Sequence, residues 1–160
     1  MLKNIIFDWG NTLMIDFPDE KGPMYSWNKI ESVANAKECL SNISGYVNCY
    51  IGTNSKDSNK DEIYLALNRV GLGQFIHDIF CFRDVGYEKP KMQFFEYILT
   101  KLNISKRDVV FIGDDFEKDY IGPITYGIHA ILYDPKNRYP HVLNKISDLM
   151  EIEGFLSNSN

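Results

Sequence analysis

The sequence predicts an α/β domain built on a parallel sheet. Two observations lead there. Five short apolar runs recur along the 160 residues, and helical stripes of apolar residues lie between them. Most runs are apolar at nearly every position and rich in β-branched and aromatic residues, which suits strands covered on both faces. Strand and helix in alternation favour parallel pairing, because parallel neighbours need a crossover between them.

The first run is Ile5-Ile6-Phe7, and it ends in a charge at Asp8. Met14 to Asn28 is irregular, with Pro18, Gly22 and Pro23 and the aromatics Phe17, Tyr25 and Trp27. Ile30, Val33, Ala36, Leu40 and Ile43 then trace one helical stripe, read as a core helix over Lys29 to Ile43. The second run is Val47 to Ile51. After it, Ile63, Ala66, Leu67 and Val70 mark a helix opened by a capping box in Ser58-Asn59-Lys60-Asp61 and closed by Gly71. The third run is Ile79 to Phe82. Phe94, Phe95, Ile98, Leu99 and Leu102 form the next helical stripe, with Pro90 at its first position. Val109 to Ile112 is the fourth run, followed by a short helix after Asp115. Ala130 to Tyr133 is the fifth, and a last helix covers Ser147 to Ile152. The polar end, Ser157-Asn158-Ser159-Asn160, reads as frayed. The expected organisation is one domain over 1–160, with a flexible tail over 154–160.

Composition narrows the function classes. Apolar residues make up 44% and charged residues 24%, the balance of an ordinary globular domain. The net charge of −5 gives no long-range attraction for nucleic acid or an anionic membrane. A local anion site remains open to it, since one lysine and a helix N-terminus suffice. Cys39, Cys49 and Cys81 are few, odd in number and far apart, and read as buried free thiols in a reducing compartment. No apolar stretch approaches the ~20 residues of a membrane span. A cytoplasmic location is expected.

Parallel sheets bind ligands beyond the carboxyl ends of their strands. Four places there, or at a helix start, carry chemistry. Asp8 ends the first strand. Thr53 and Asn54 follow the second. Lys89 precedes Pro90 at a helix start, where the helix dipole disfavours a cation unless something anionic is shared. Gly113-Asp114-Asp115-Phe116-Glu117-Lys118-Asp119 puts several carboxylates after the fourth strand. Gathering them without a cation costs like-charge repulsion. A hard cation with oxygen ligands relieves it, and magnesium typically takes one or two carboxylates plus water and phosphate.

In order and spacing these pieces resemble the haloacid dehalogenase-like superfamily, from Asn4 to about Tyr133. The first family motif reads here Asp8-Trp9-Gly10-Asn11-Thr12, the second is Thr53, the third Lys89-Pro90, and the fourth Gly113-Asp114 with Asp119. The resemblance implies a three-layer Rossmann-like fold around a five-stranded parallel sheet of order 5-4-1-2-3. It implies that Asp8 attacks phosphorus to form an aspartyl-phosphate, splitting one hard displacement into two. Thr53, Asn54 and Lys89 would bind the substrate, Thr53 donating to a phosphoryl oxygen and Lys89 neutralising phosphoryl charge and holding Asp8. Mg2+ would be bound by Asp8, the Gly10 carbonyl and Asp114. Thr12, Asp115 and Asp119 would support the site, Asp119 by orienting Lys89 or a metal-bound water, and Asp115 as an extra carboxylate or as a helix cap.

Two departures bear on activity. Gly10 stands where the family's second aspartate transfers protons, work typically worth ~10²–10⁴-fold. Either the substrate has a good leaving group, or another carboxylate (Asp16, Asp19 or Asp115) reaches in, or the chain binds a phosphorylated ligand with little turnover. Secondly, only 44 residues separate Asp8 from Thr53, leaving Met14 to Asn28 as a short flap rather than a lid domain. Phe17, Tyr25 and Trp27 either line an entrance or pack on the sheet edge. An open site suits a large phosphorylated substrate or one covered by a partner chain. The expected function is a magnesium-dependent phosphohydrolase. The alternatives are a phosphoryl-binding module and a carbon–halogen or carbon–phosphorus hydrolase. The retained acidic motif argues against the metal-free dehalogenase branch.

Overall fold

A computed structural model describes residues 2–157. Strand β1 is Asn4–Phe7, β2 Asn48–Gly52, β3 Ile76–Phe80, β4 Val109–Gly113 and β5 His129–Tyr133. A sixth strand, β6 at Lys145–Ile146, extends the sheet past the five expected. The spatial order is β3-β2-β1-β4-β5-β6, and every neighbouring pair is parallel. Two residues carry too little pattern to register as a strand. β6 is held by backbone bonds from Leu132 and Asp134, and beside it buried Asp134 accepts the amides of Arg138 and Tyr139 and pairs with Lys145 at 3.6 Å.

The helices are α1 (Ala36–Ile43), α2 (Lys60–Arg69), α3 (Phe82–Val85), α4 (Met92–Leu102), α5 (Gly122–Tyr126) and α6 (Ile152–Ser157). Alternate strand residues face opposite layers, as the two-residue period of a strand requires. Ile5 and Phe7 join Cys39, Leu40, Ile43, Ile63, Leu67 and Ile152 on the face covered by α1, α2 and α6. Ile6 and Phe111 join Val85, Phe94, Phe95, Ile98 and Leu99 on the face covered by α3 and α4. Each such large side chain, fully buried, contributes about 1.5–3 kcal/mol. The result is a three-layer α/β fold.

Several expectations are corrected. Ile30 and Val33 are not helical, and α1 begins only at Ala36. Their spacing matches a helix, but this stretch pairs with the segment after β1: Ser32 bridges Met14 and Ile15 donates to the Glu31 carbonyl. The capping box of α2 is centred on Asn59 and Glu62 rather than Ser58, each side chain bonding the other's amide. Helix α4 opens after Lys91, so Pro90 lies outside it, joined to Lys89 by a cis peptide. The last helix starts later than expected: a 3-10 turn spans Leu149–Glu151 and α6 runs to Ser157. Residues 154–157 of the expected tail are thus helical, and 158–160 lie outside the described residues.

Residues 14–28 form an irregular segment with a single 3-10 turn at Met24–Ser26. Met24 and Trp27 are buried in the core, and Phe17 and Tyr25 pack against it. Arg69, the last residue of α2, donates from Nη1 to the carbonyls of Tyr25 (2.9 Å) and Trp27 (2.6 Å). Cys39, Cys49 and Cys81 are free and buried, and burial pushes the first two thiols up to about 12. Among the described residues no helix is long and apolar enough to cross a membrane.

Candidate active site

The sheet register brings the expected residues together. Phe7 of β1 is level with Ile51 of β2 and with Ile112 of β4. The next residues along these three central strands lead into Asp8, Thr53 and Asp114 at one carboxyl edge. Asp8 is fixed there by its amide, which donates to the Ile112 carbonyl at 2.8 Å.

Lys89 arrives from the connection between α3 and α4. Asn54 holds its main chain on both sides: the Asn54 carboxamide donates to the Lys89 carbonyl at 3.0 Å and accepts the Lys89 amide at 2.7 Å. The Asn54 side chain is therefore engaged in positioning Lys89. The ammonium, only 3% exposed at the residue level, donates to Asp119 Oδ1 at 2.7 Å and to Asp8 Oδ1 at 2.9 Å. It also lies 5.1 Å from the Phe111 ring centroid, within cation–π range. Burial alone would lower the Lys89 pKa. The carboxylates of Asp119 and Asp8 outweigh it and hold the ammonium above its ordinary range.

Asp119 is buried with both oxygens occupied. Oδ1 takes the Lys89 ammonium and Oδ2 accepts the Asp115 amide at 3.0 Å. That arrangement suits an orienting group. Its position depends on Gly113, because a Cβ there would come within 3.0 Å of three atoms of the Asp119 side chain. Asp115 caps the following π-helix, Phe116–Ile121, accepting the amides of Glu117 and Lys118. Thr12 is fully buried, and its hydroxyl lies 3.2 Å from Asp8 Oδ2 and 3.3 Å from Asp114 Oδ1. Thr53 Oγ1 accepts the Ser55 amide at 3.1 Å, so its O–H is what remains to donate.

Carboxylate oxygens of Asp8, Asp114 and Asp119 lie within 4.8 Å of one another. One buried ammonium cannot balance three such groups. Burial, then the charge of Asp8, pushes the Asp114 carboxyl up to about 6. Burial and Asp8 raise Asp119 too, against the pull of Lys89. Protons in such a cluster belong to the group as a whole. An all-oxygen donor set with excess negative charge fits a hard divalent cation.

Asp8, Thr53, Asn54, Lys89, Asp114, Asp115 and Asp119 line a cleft of about 400 Å³, together with Gly10, Asn11, Asp16, Met24, Trp27, Lys56 and Lys118, while Thr12 lies beneath it. Met24 and Trp27 thus serve both the core and the cleft wall. Phe17 and Tyr25 are not among the lining residues. Sequence reading did not single out Asn11, Lys56 or Lys118. Lys118 stands within the fourth motif and Lys56 three residues after Thr53, so adjacency was the available signal.

A family model described as "haloacid dehalogenase-like hydrolase" matches residues 20–124. The chain belongs to that family. Among curated relatives of this HAD-like hydrolase, a ribulose-1,5-bisphosphate 5-phosphatase from Halopiger xanaduensis is 32% identical over 64% of the chain and 42% of its own length. The chain spans less than half the length of that relative and of the next. An uncharacterised protein from Listeria monocytogenes superimposes with a TM-score of 0.85 at 27% identity, covering 99% of this chain and 98% of that one. The magnesium-bound HAD-hydrolase YfnB from Bacillus subtilis superimposes at 0.78, with 17% identity over 97% and 98% of the two chains. A 2-haloacid dehalogenase from Pseudomonas syringae does so at 0.80, with 14% identity over all of both chains. The last two likenesses concern the fold alone.

Proposed function

We propose that this HAD-like hydrolase cleaves phosphate monoesters with Asp8 as nucleophile and Mg2+ as cofactor. The observation that carries the reading is the Lys89 ammonium, shared between Asp8 and Asp119 beside the Asp114 carboxylate. Lys89 holds the attacking oxygen in place and offers positive charge to the phosphoryl group. Thr53, with its O–H free to donate, would bind a phosphoryl oxygen. Asn54 and Asp119 keep Lys89 on station from its main chain and its side chain.

Asp8, Asp114 and the Gly10 carbonyl would hold the cation, which supplies charge neutralisation between two anions. The need is evident in the lining: six aspartates and three lysines surround the cleft, and a phosphate dianion would meet net repulsion there. The excess of carboxylates supports phosphoryl transfer over metal-free attack on carbon, despite the dehalogenase-like fold. Phosphorylated small molecules, such as the bisphosphate named for the relative from Halopiger, are natural first substrates to assay. Larger phosphorylated molecules also suit the cleft, since residues 14–28 add only a short wall. Free, buried cysteines support a cytoplasmic setting.

The test is turnover of an aryl phosphate and an acyl phosphate with and without Mg2+. Activity should vanish on chelation and fall by on the order of 10³-fold or more in Asp8→Asn. Metal-independent halide release, or ligand binding without turnover, would sink the reading.

A further inference from the structure

Gly10 leaves the site without the side chain that would move protons to and from the leaving group. Its backbone does not require glycine: its φ is not positive, and a Cβ built there meets only ordinary contacts. The three nearest atoms to that Cβ all belong to one residue, Asp16: Cβ at 3.7 Å, Oδ2 at 3.8 Å and Cγ at 4.0 Å. The space beside the point where a side chain of residue 10 would start is thus occupied by a carboxylate from six positions later.

Local geometry explains how it gets there. Asn11 takes a left-handed conformation (φ 58°), which asparagine tolerates better than most residues. The chain turns at once, with the Asn11 amide donating to the Met14 carbonyl and Gly10 bridged to Met14. The Asn11 carboxamide then accepts the Asp16 amide at 3.0 Å and fixes the returning chain. Asp16 lines the cleft with Asp8. Its carboxylate makes no hydrogen bond or ion pair among the described residues. The other two carboxylates are placed differently. Asp115 is engaged in capping the π-helix, and Asp19, exposed as Asp16 is, is absent from the cleft lining.

We propose that Asp16 carries out the proton transfers that Gly10 cannot. This rests on the phosphohydrolase reading above. In the first step an Asp8 oxygen forms a bond to phosphorus, the bond from phosphorus to the leaving oxygen breaks, and protonated Asp16 gives that oxygen its proton. In the second, Asp16 takes a proton from water as the water oxygen attacks phosphorus. The bond between phosphorus and Asp8 breaks, its electron pair returns to the Asp8 carboxylate, and phosphate leaves. Asp16 ends protonated, ready for the next substrate.

The experiment compares an alkyl phosphate with an activated aryl phosphate in wild type, Asp16→Asn, Asp19→Asn and the double variant Gly10→Asp/Asp16→Asn. In Asp16→Asn, kcat/KM on the alkyl ester should drop ~10²–10⁴-fold, with a far smaller drop on the aryl ester. Phospho-enzyme should accumulate on the aryl ester, because water is no longer activated. Asp19→Asn should match wild type, and Gly10→Asp should restore alkyl turnover in the double variant. All four should melt alike. An Asp16→Asn enzyme with unchanged leaving-group dependence overturns the proposal. So does an equal loss on both esters, or a loss that Gly10→Asp leaves untouched. If wild type turns over neither ester, the phosphohydrolase reading itself fails and the role of Asp16 falls with it.

Discussion

The Lys89 ammonium and the Asp119 carboxylate meet at 2.7 Å with their side chains 2% and 1% exposed. So buried a pair is weak evidence of net stability, but removing one member strands the other. Asp119→Ala leaves Lys89 with Asp8 as its remaining carboxylate partner and frees the Asp115 amide. It should destabilise the fold by about 3 kcal/mol, near the lower end for broken buried pairs. Urea unfolding reads this directly, and a loss under about 0.5 kcal/mol would mean that water replaces the lost contacts.

Gly113 is required by the same pair. Gly113→Ala forces its methyl into the Asp119 side chain, at contacts inside 3.0 Å. Overpacking of that kind typically takes about 1–3 kcal/mol from stability. Displacing Asp119 also shifts Lys89, and in the proposed reaction a misplaced Lys89 would lose on the order of 10²-fold in rate. Gly45→Ala is the control: a Cβ there meets nothing within 4 Å, so it should stay within about 0.5 kcal/mol of wild type. Melting curves and aryl phosphate kinetics on the two variants separate these outcomes.

The Asp114 carboxyl predicts how pH and magnesium interact. Its pKa in the fold, about 6, stands above the ordinary carboxylate range. The native state therefore holds the proton more tightly than the unfolded chain, and this group's contribution falls as pH rises through that interval. A cation bound to the ionised form offsets the loss. Added Mg2+ should raise the melting temperature clearly at about pH 8 and little at about pH 5, as expected for a ligand that binds one protonation state. An equal rise at both pH values would place the ion elsewhere.

Asn54 should act through Lys89. Asn54→Ala deletes both bonds to the Lys89 main chain, an effect of about 1–3 kcal/mol in total at net values near 1 kcal/mol per bond. Substrate affinity should weaken together with the maximal rate, because a displaced Lys89 serves both. Steady-state kinetics showing a change in KM alone would point to direct ligand contact by Asn54 instead.

Much of this was legible in the sequence, for physical reasons. β1 and β4 are buried at every position and β2 and β5 at all but their first, so their runs are almost wholly apolar, whereas β3 at the sheet edge exposes His77 and carries half-buried Asp78, which hid its first half. Asp8, Thr53, Lys89 and Asp114 stand out as polar groups at the ends of apolar runs or at a helix start. What escaped depends on the backbone path between elements. Ile30 and Val33 have helical spacing by coincidence, while their segment pairs with the chain after β1. The nearness of Asp16 to Gly10 follows from one left-handed residue, Asn11, and nothing in the letters distinguishes Asp16 from Asp19. β6 is two residues long and joins β5 through backbone bonds and the Asp134–Lys145 pair, contacts with no periodic signature.

The grip of Arg69 on residues 25 and 27 has an evolutionary consequence. Its guanidinium holds carbonyl oxygens, which every amino acid supplies, so the anchorage tolerates replacement of the side chains it secures. One flank of the cleft can accordingly change side chains without losing its backbone anchorage, while the flank of Asp8, Lys89 and Asp114 stays constrained by charge. Of the side chains so secured, Trp27 also fills the core, so a replacement there must keep its bulk to alter the cleft wall without loosening the fold.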